Sequence, residues 1–118
     1  MKQPVVVYGI PNCDTVKKAL NWLKENKIPW EFHDYKQKGI SREKLTEWID
    51  KAGWENIFNK KSTSWRELPA ARQARVVDAG SAITVMLENN SIIKRPVIEA
   101  GKKLLVGFSV AHYEQIFH

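Results

Sequence analysis

Cysteine is almost absent from this chain of 118 residues, which contains Cys13 and no other thiol. An internal disulfide is excluded, and any disulfide chemistry must use a partner thiol. A reducing, cytoplasmic setting is expected. Long apolar runs are missing as well, so no membrane association is expected. The opening Met1-Lys2-Gln3-Pro4 leads into a short strand without the pattern of a secretory leader. Neither a Walker loop nor a Rossmann glycine fingerprint is present, which leaves nucleotide chemistry without local support. His33, His112 and His118 have no metal-ligand spacing, so no metal site is expected. Without a zinc-finger spacing or an RNA-binding aromatic motif, direct nucleic-acid binding is not expected either. Trp22, Trp30, Trp48, Trp54 and Trp65 form no base-stacking series; Trp48 reads as core, and Trp22 lies off its helix's main stripe, over an edge or a partner.

What the chain does contain is ordinary globular material, 43% hydrophobic and 27% charged. Its length suits one domain with its own core, and a monomer is expected. Nineteen basic residues against thirteen acidic give a net charge of +6. Such a surface attracts an acidic protein, an oxyanion or anionic glutathione.

The local pattern is clearest at the N-terminus. Val5 to Tyr8 is a β-branched run apolar on both faces, the mark of a central strand. Gly9 and Pro11 make the turn, and Val16, Ala19, Leu20 and Leu23 then recur at helical spacing. Ile28 to Tyr35 reads as the next strand, with Trp30 and Phe32 on one face, completing a parallel βαβ unit. Lys36 to Gly39 reads as a polar turn. Ser41 caps a helix whose stripe is Leu45, Trp48, Ile49 and Ala52 and which Gly53 terminates.

Beyond Gly53 the pattern is more mixed. Trp54, Ile57 and Phe58 suggest a helical turn, and Asn59 to Ser64 a polar, basic loop. Further helical turns are expected over Ala70 to Asp78 and Ser81 to Asn89, the latter showing Ile83, Met86 and Leu87 on one side. The whole block reads as a helical insertion with no second hydrophobic core. Ile92 to Ile98 begins a strand-rich part, Glu99 to Lys102 supplies a turn, and Lys103 to Val106 returns antiparallel. Ser109 then caps a last helix with Val110, Tyr113 and Phe117 on its apolar face.

Cys13 stands where the first strand hands over to the first helix. Free N–H groups and the positive end of the helix dipole there stabilise negative charge on sulfur. The competing explanation is a small buried hydrophobe. Ligands of open α/β sheets approach outside the carboxyl ends of the strands, which is where this junction lies. Arg95-Pro96 enters the later strand pair. A cis bond to Pro96 would set a backbone edge beside Cys13, and Arg95 would then grip an anion through its bidentate donors.

Tyr8 to Ala19, with Ile93-Lys94-Arg95-Pro96 and Leu105-Val106-Gly107-Phe108, resemble the ArsC/Spx family of thioredoxin-like proteins. The resemblance is greatest to its small arsenate-reductase-like branch. It extends over essentially the whole chain and implies an α/β fold, a thioredoxin-like mixed sheet flanked by helices. A helical insertion over about 41–90 would separate the N-terminal βαβ unit from the C-terminal ββα unit, all in a single domain spanning 1–118.

By the same resemblance Cys13 is the nucleophile and Arg95 the oxyanion-binding arginine. Lys60 and Lys61 stand near another arginine-bearing position of the family, with lysine in its place. Where family reductases carry a further arginine this chain reads Leu105-Val106-Gly107-Phe108, which lacks one oxyanion clamp. Many Spx regulators have a Cys-x-x-Cys switch; Val16 occupies the position of the resolving cysteine here.

The expected function is that of a glutathione-dependent monothiol reductase acting on an oxyanion or disulfide. Cys13 and Arg95 are its catalytic residues, and Asn12, Thr15, Lys61, Arg95 and Pro96 line the binding site. No tightly bound cofactor is expected; glutathione is the cosubstrate and glutaredoxin a possible partner. The alternative is an Spx-like regulator that binds RNA polymerase or another protein without turnover, with Arg66, Arg72 and Arg75 on a charged docking face.

Overall fold

The computed structural model describes residues 5–117, and within it the chain forms two compact units. One comprises the described residues up to Lys38 together with those from Arg95 onward; the other is Gly39–Lys94.

The first unit is built on four strands. β1 (Val5–Gly9) is followed by helix α1 (Asp14–Glu25), then β2 (Trp30–Asp34) and a single helical turn α2 (Tyr35–Lys38). After the second unit the chain returns as β3 (Val97–Ala100), β4 (Lys103–Val106) and the last helix. The sheet order is β2-β1-β3-β4, so the apolar β1 is central as its sequence requires. β1 runs parallel to β2 and antiparallel to β3, and β3 and β4 form a hairpin.

In register, Phe32, Val7, Ile98 and Leu105 form one row across the sheet. Val7, Ile98 and Leu105 join Ala19 and Leu23 of α1 and Tyr113 of the last helix in one core. Tyr8 and Glu99 share the opposite face, where the Tyr8 hydroxyl donates to the Glu99 carboxylate at 3.0 Å. Trp22 packs within its own unit, lying edge-on to Tyr113 and beside Phe117 at centroid distances of 5.3 and 5.8 Å.

The second unit holds the helical block. Here α3 (Arg42–Ala52) is capped by Ser41, whose hydroxyl accepts the Lys44 N–H at 3.1 Å. Gly53, at a φ of 84°, ends it. There follow α4 (Trp54–Ile57), α5 (Thr63–Arg66), α6 (Ala70–Gln73) and α7 (Ala79–Glu88), then a 3₁₀ turn over Asn90–Ile92. The last helix of the chain is α8 (Val110–Phe117).

Several boundaries differ from the sequence reading, each for a local reason. The second strand stops at Asp34, because the Asp34 carboxylate accepts the N–H groups of Lys36 and Gln37 and starts a helical turn at Tyr35. Ser62 leaves the basic loop to cap α5, accepting the Trp65 N–H at 3.2 Å. Asp78 ends no helix; with Ser81 it forms the capping box that opens α7. The stretch from Ile92 begins as a 3₁₀ turn, and strand pairing of the β3 hairpin starts only at Val97 and continues to Ala100.

Side-chain burial also departs from expectation. Leu87 and Val110 are exposed, and Ala82 and Val85 take the inward positions of α7 beside Ile83 and Met86. Within the block, Leu45, Trp48, Ile57, Phe58, Met86, Ile92 and Ile93 are all buried. Phe58 stands edge-on to Trp54 and Trp65. Adjacent short helices can satisfy their backbones locally while converging apolar side chains that no single periodic stripe reveals.

Candidate active site

The sheet places three chain segments at one of its ends. β1 and β2 are parallel and finish there at Gly9 and Asp34, which are paired in register. β3 is antiparallel to β1, so its first residue, Val97, lies opposite Tyr8 near the same end. Cys13 follows β1, Tyr35 follows β2, and Arg95 precedes β3. Three segments distant in sequence therefore open onto one edge.

The Cys13 junction is tightly built. A Cβ on Gly9 would stand 2.9 Å from Cγ2 of the fully buried Val16, so the strand end and the first helical turn approach closely only through glycine. Cys13 is the N-cap of α1, extended at φ −141° and ψ 124°, and its carbonyl accepts the Lys17 N–H at 3.0 Å. Its side chain makes no capping hydrogen bond and is half-buried. The first-turn N–H groups have no carbonyl partner in the helix, so their partial positive charge remains at the thiol end.

Tyr35 is fully buried. The Arg95 guanidinium donates a hydrogen bond to its hydroxyl, and Cys13 and Asp34 lie near enough to act on it electrostatically. Burial pushes the Tyr35 phenol up to about 12 against the opposing pull of Arg95. Arg95 and Cys13 thus converge on one phenol that the sequence reading did not single out. The available signal was topological: the residue after the second strand of a parallel βαβ unit lies beside the residue after the first.

The other candidates can be placed individually. Asn12 is exposed in the bend before Cys13, and Thr15 is half-buried in the first turn of α1. Pro96 follows a cis peptide bond, and its carbonyl accepts the Gly107 N–H at 2.8 Å. Lys61 lies in the second unit, exposed, with its N–H bonded to the Asn59 side chain at 3.1 Å. In that unit Arg72 pairs with Glu88 at 2.6 Å. Arg72 and Arg75 line a groove of about 450 Å³ together with Val76, Val85 and Glu88. Among the described residues no cluster of His, Cys, Asp and Glu is arranged to hold a metal ion; His118 lies outside them. His33 stacks at a tilt on Tyr8, 4.9 Å between centroids.

The buried phenols give the protein an alkaline limit. Burial also raises Tyr113, whose hydroxyl donates to the Gly107 carbonyl. The unfolded phenol titrates near 10, and the folded ones hold their protons to higher pH. Their contribution to stability is therefore complete below pH 10 and lost as pH rises through about 12 for Tyr35. Melting temperature should be insensitive to these groups up to pH 10 and fall above it. Phenolate absorbance from Tyr35, isolated by difference against Tyr35→Phe, should appear near pH 12; appearance near pH 10 with native circular dichroism intact would refute the assignment.

Residues 8–116 match the ArsC family. A solved structure of a protein named YffB is 45% identical, with a TM-score of 0.92, covering 97% of this chain and 99% of that one. An arsenate reductase (ArsC) related protein from Brucella melitensis is 44% identical, with a TM-score of 0.75, covering 98% and 95%. The global transcriptional regulator Spx of Streptococcus agalactiae is 24% identical over 89% of this chain and 77% of its own. No described helix is long and apolar enough to cross a membrane.

Proposed function

Because this chain belongs to the ArsC family, we propose that it is a glutathione-dependent monothiol reductase with Cys13 as its nucleophile. The observation that carries this reading is the convergence of Cys13 and Arg95 on Tyr35. It sets a thiol at a helix N-terminus and a guanidinium from a distant segment within electrostatic reach of one phenol.

The cycle needs one protein thiol. Cys13 thiolate attacks the glutathione sulfur of a mixed disulfide; the substrate's S–S bond breaks, its own thiolate leaves, and Cys13 becomes bonded to glutathione. A second glutathione thiolate then attacks that bond at the glutathione sulfur. Oxidised glutathione leaves and Cys13 thiolate is restored; the net change is release of the substrate thiol and oxidation of the one added glutathione thiol, whose sulfur is joined to the glutathione the substrate carried. Arg95 would bind a glutathione carboxylate, with Asn12 and Thr15 beside the incoming group.

A disulfide is favoured over an oxyanion because Leu105-Val106-Gly107-Phe108 carries no arginine where family reductases have a further one, and because Lys60 and Lys61 supply point charges rather than a guanidinium fork. Mass spectrometry after exposure to oxidised glutathione should show one adduct per chain, removed by reduced glutathione and formed more slowly in Arg95→Ala. No adduct on the folded wild type would reject the reductase reading.

The Spx relative supports a second reading, a regulator that binds RNA polymerase without turnover. The groove beside Arg72, Arg75 and Glu88 offers such a partner a mixed charged and apolar face. Stable polymerase binding by a chain that takes up no glutathione would favour it.

A further inference from the structure

Resting on the Cys13–Arg95 reading, we propose that Tyr35 is a positioning residue that tethers the Arg95 guanidinium at the Cys13 end of the sheet without cancelling its charge.

Arginine carries its charge on a long stem with several rotatable bonds, and the residue alone does not determine where the guanidinium rests. Here the Tyr35 hydroxyl accepts one of its N–H groups. The phenol is itself held firmly. Its ring is fully buried, and its backbone begins the α2 turn that Asp34 organises by accepting the N–H groups of Lys36 and Gln37 at 3.0 and 3.4 Å. Gly9 and Asp34 are register partners, so this anchor is tied to the strand that delivers Cys13.

The chemistry of the anchor matters as much as its place. A carboxylate at Tyr35 would pair with the guanidinium and compete with any incoming anion. A neutral phenol fixes one donor and does not itself cancel the positive charge that an anion would meet. Because burial keeps this phenol protonated to about pH 12, the tether stays neutral across the whole range in which a thiolate works. Tyr35 therefore favours an anionic partner over a neutral one at Cys13, acting through Arg95.

Alkylation of Cys13 by iodoacetate and by iodoacetamide tests this, since the two reagents differ mainly in charge and the ratio of their rates cancels changes in thiolate population. Arg95→Ala should lower the iodoacetate-to-iodoacetamide ratio about fivefold, the scale of two unit charges a few ångströms apart in a water-like medium. Tyr35→Phe, which removes only the hydroxyl, should lower it by a comparable factor and have no further effect in the Arg95→Ala background. Circular dichroism of each variant establishes that the fold persists, and Tyr35→His, which retains a polar ring atom, offers a second variant if Tyr35→Phe unfolds. A ratio lowered by Arg95→Ala and untouched at Tyr35 would overturn the tether while leaving the role of Arg95 intact. A ratio insensitive to Arg95→Ala would overturn that role and the tether together. An equal effect of Tyr35→Phe with and without Arg95 would also overturn the proposal, because the phenol would then act on Cys13 directly.

Discussion

Cys13→Ser is expected to abolish glutathione adduct formation and to lower any disulfide-reducing turnover by at least roughly 10³-fold, the scale on which loss of a covalent nucleophile acts. The hydroxyl cannot enter a disulfide and is not ionised near neutral pH. This chain contains no second thiol to take over. The same substitution should not weaken the fold. Cys13 already has the extended backbone of an N-cap, and its side chain makes no capping bond. Serine is among the preferred N-caps and can accept a first-turn N–H, so stability should rise by about 0.5–1 kcal/mol. Chemical denaturation and a turnover assay on the same preparation would check both halves. Retained turnover would remove Cys13 from the mechanism, while a large loss of stability would show that the thiol is a packing residue.

The second large effect is structural. Tyr113→Ala should cost about 3–5 kcal/mol, the range for emptying a buried aromatic site. Tyr113 is 1% exposed and belongs to the core with Val7, Leu23, Ile98 and Leu105. Its ring also meets Phe108 and Trp22 edge-on at 5.2 and 5.3 Å. Tyr113→Phe keeps the ring and removes only the bond to the Gly107 carbonyl, and should cost about 0.5–1.5 kcal/mol. The difference between the two variants in urea denaturation separates packing from the hydrogen bond. Equal losses would mean that the bond, rather than the ring, holds α8 to its unit.

Much of the candidate site could be read locally. The β-branched run, Gly9 and the helical stripe from Val16 placed Cys13 at a strand-to-helix junction, because each of those signals acts within a few residues. The same holds for Ser41 and Gly53 at the ends of α3. The helical block was harder to read. Ser62 and Asp78 each have two plausible local roles, loop or cap and helix end or helix start, and only the backbone N–H groups that reach them select one.

Local signals in the chain specify the order of elements, the central apolar strand, a lone thiol at a helix N-terminus and the likeness that family membership makes explicit. Which groups meet at that end of the sheet follows from long-range strand pairing. Tyr35 reads in sequence as the end of a strand, and Arg95 as a charge before a proline. They become partners because β2 pairs parallel and β3 antiparallel with the same strand, bringing the end of one and the start of the other together. Hydrogen-bond direction between strands is a long-range choice that no local periodicity encodes.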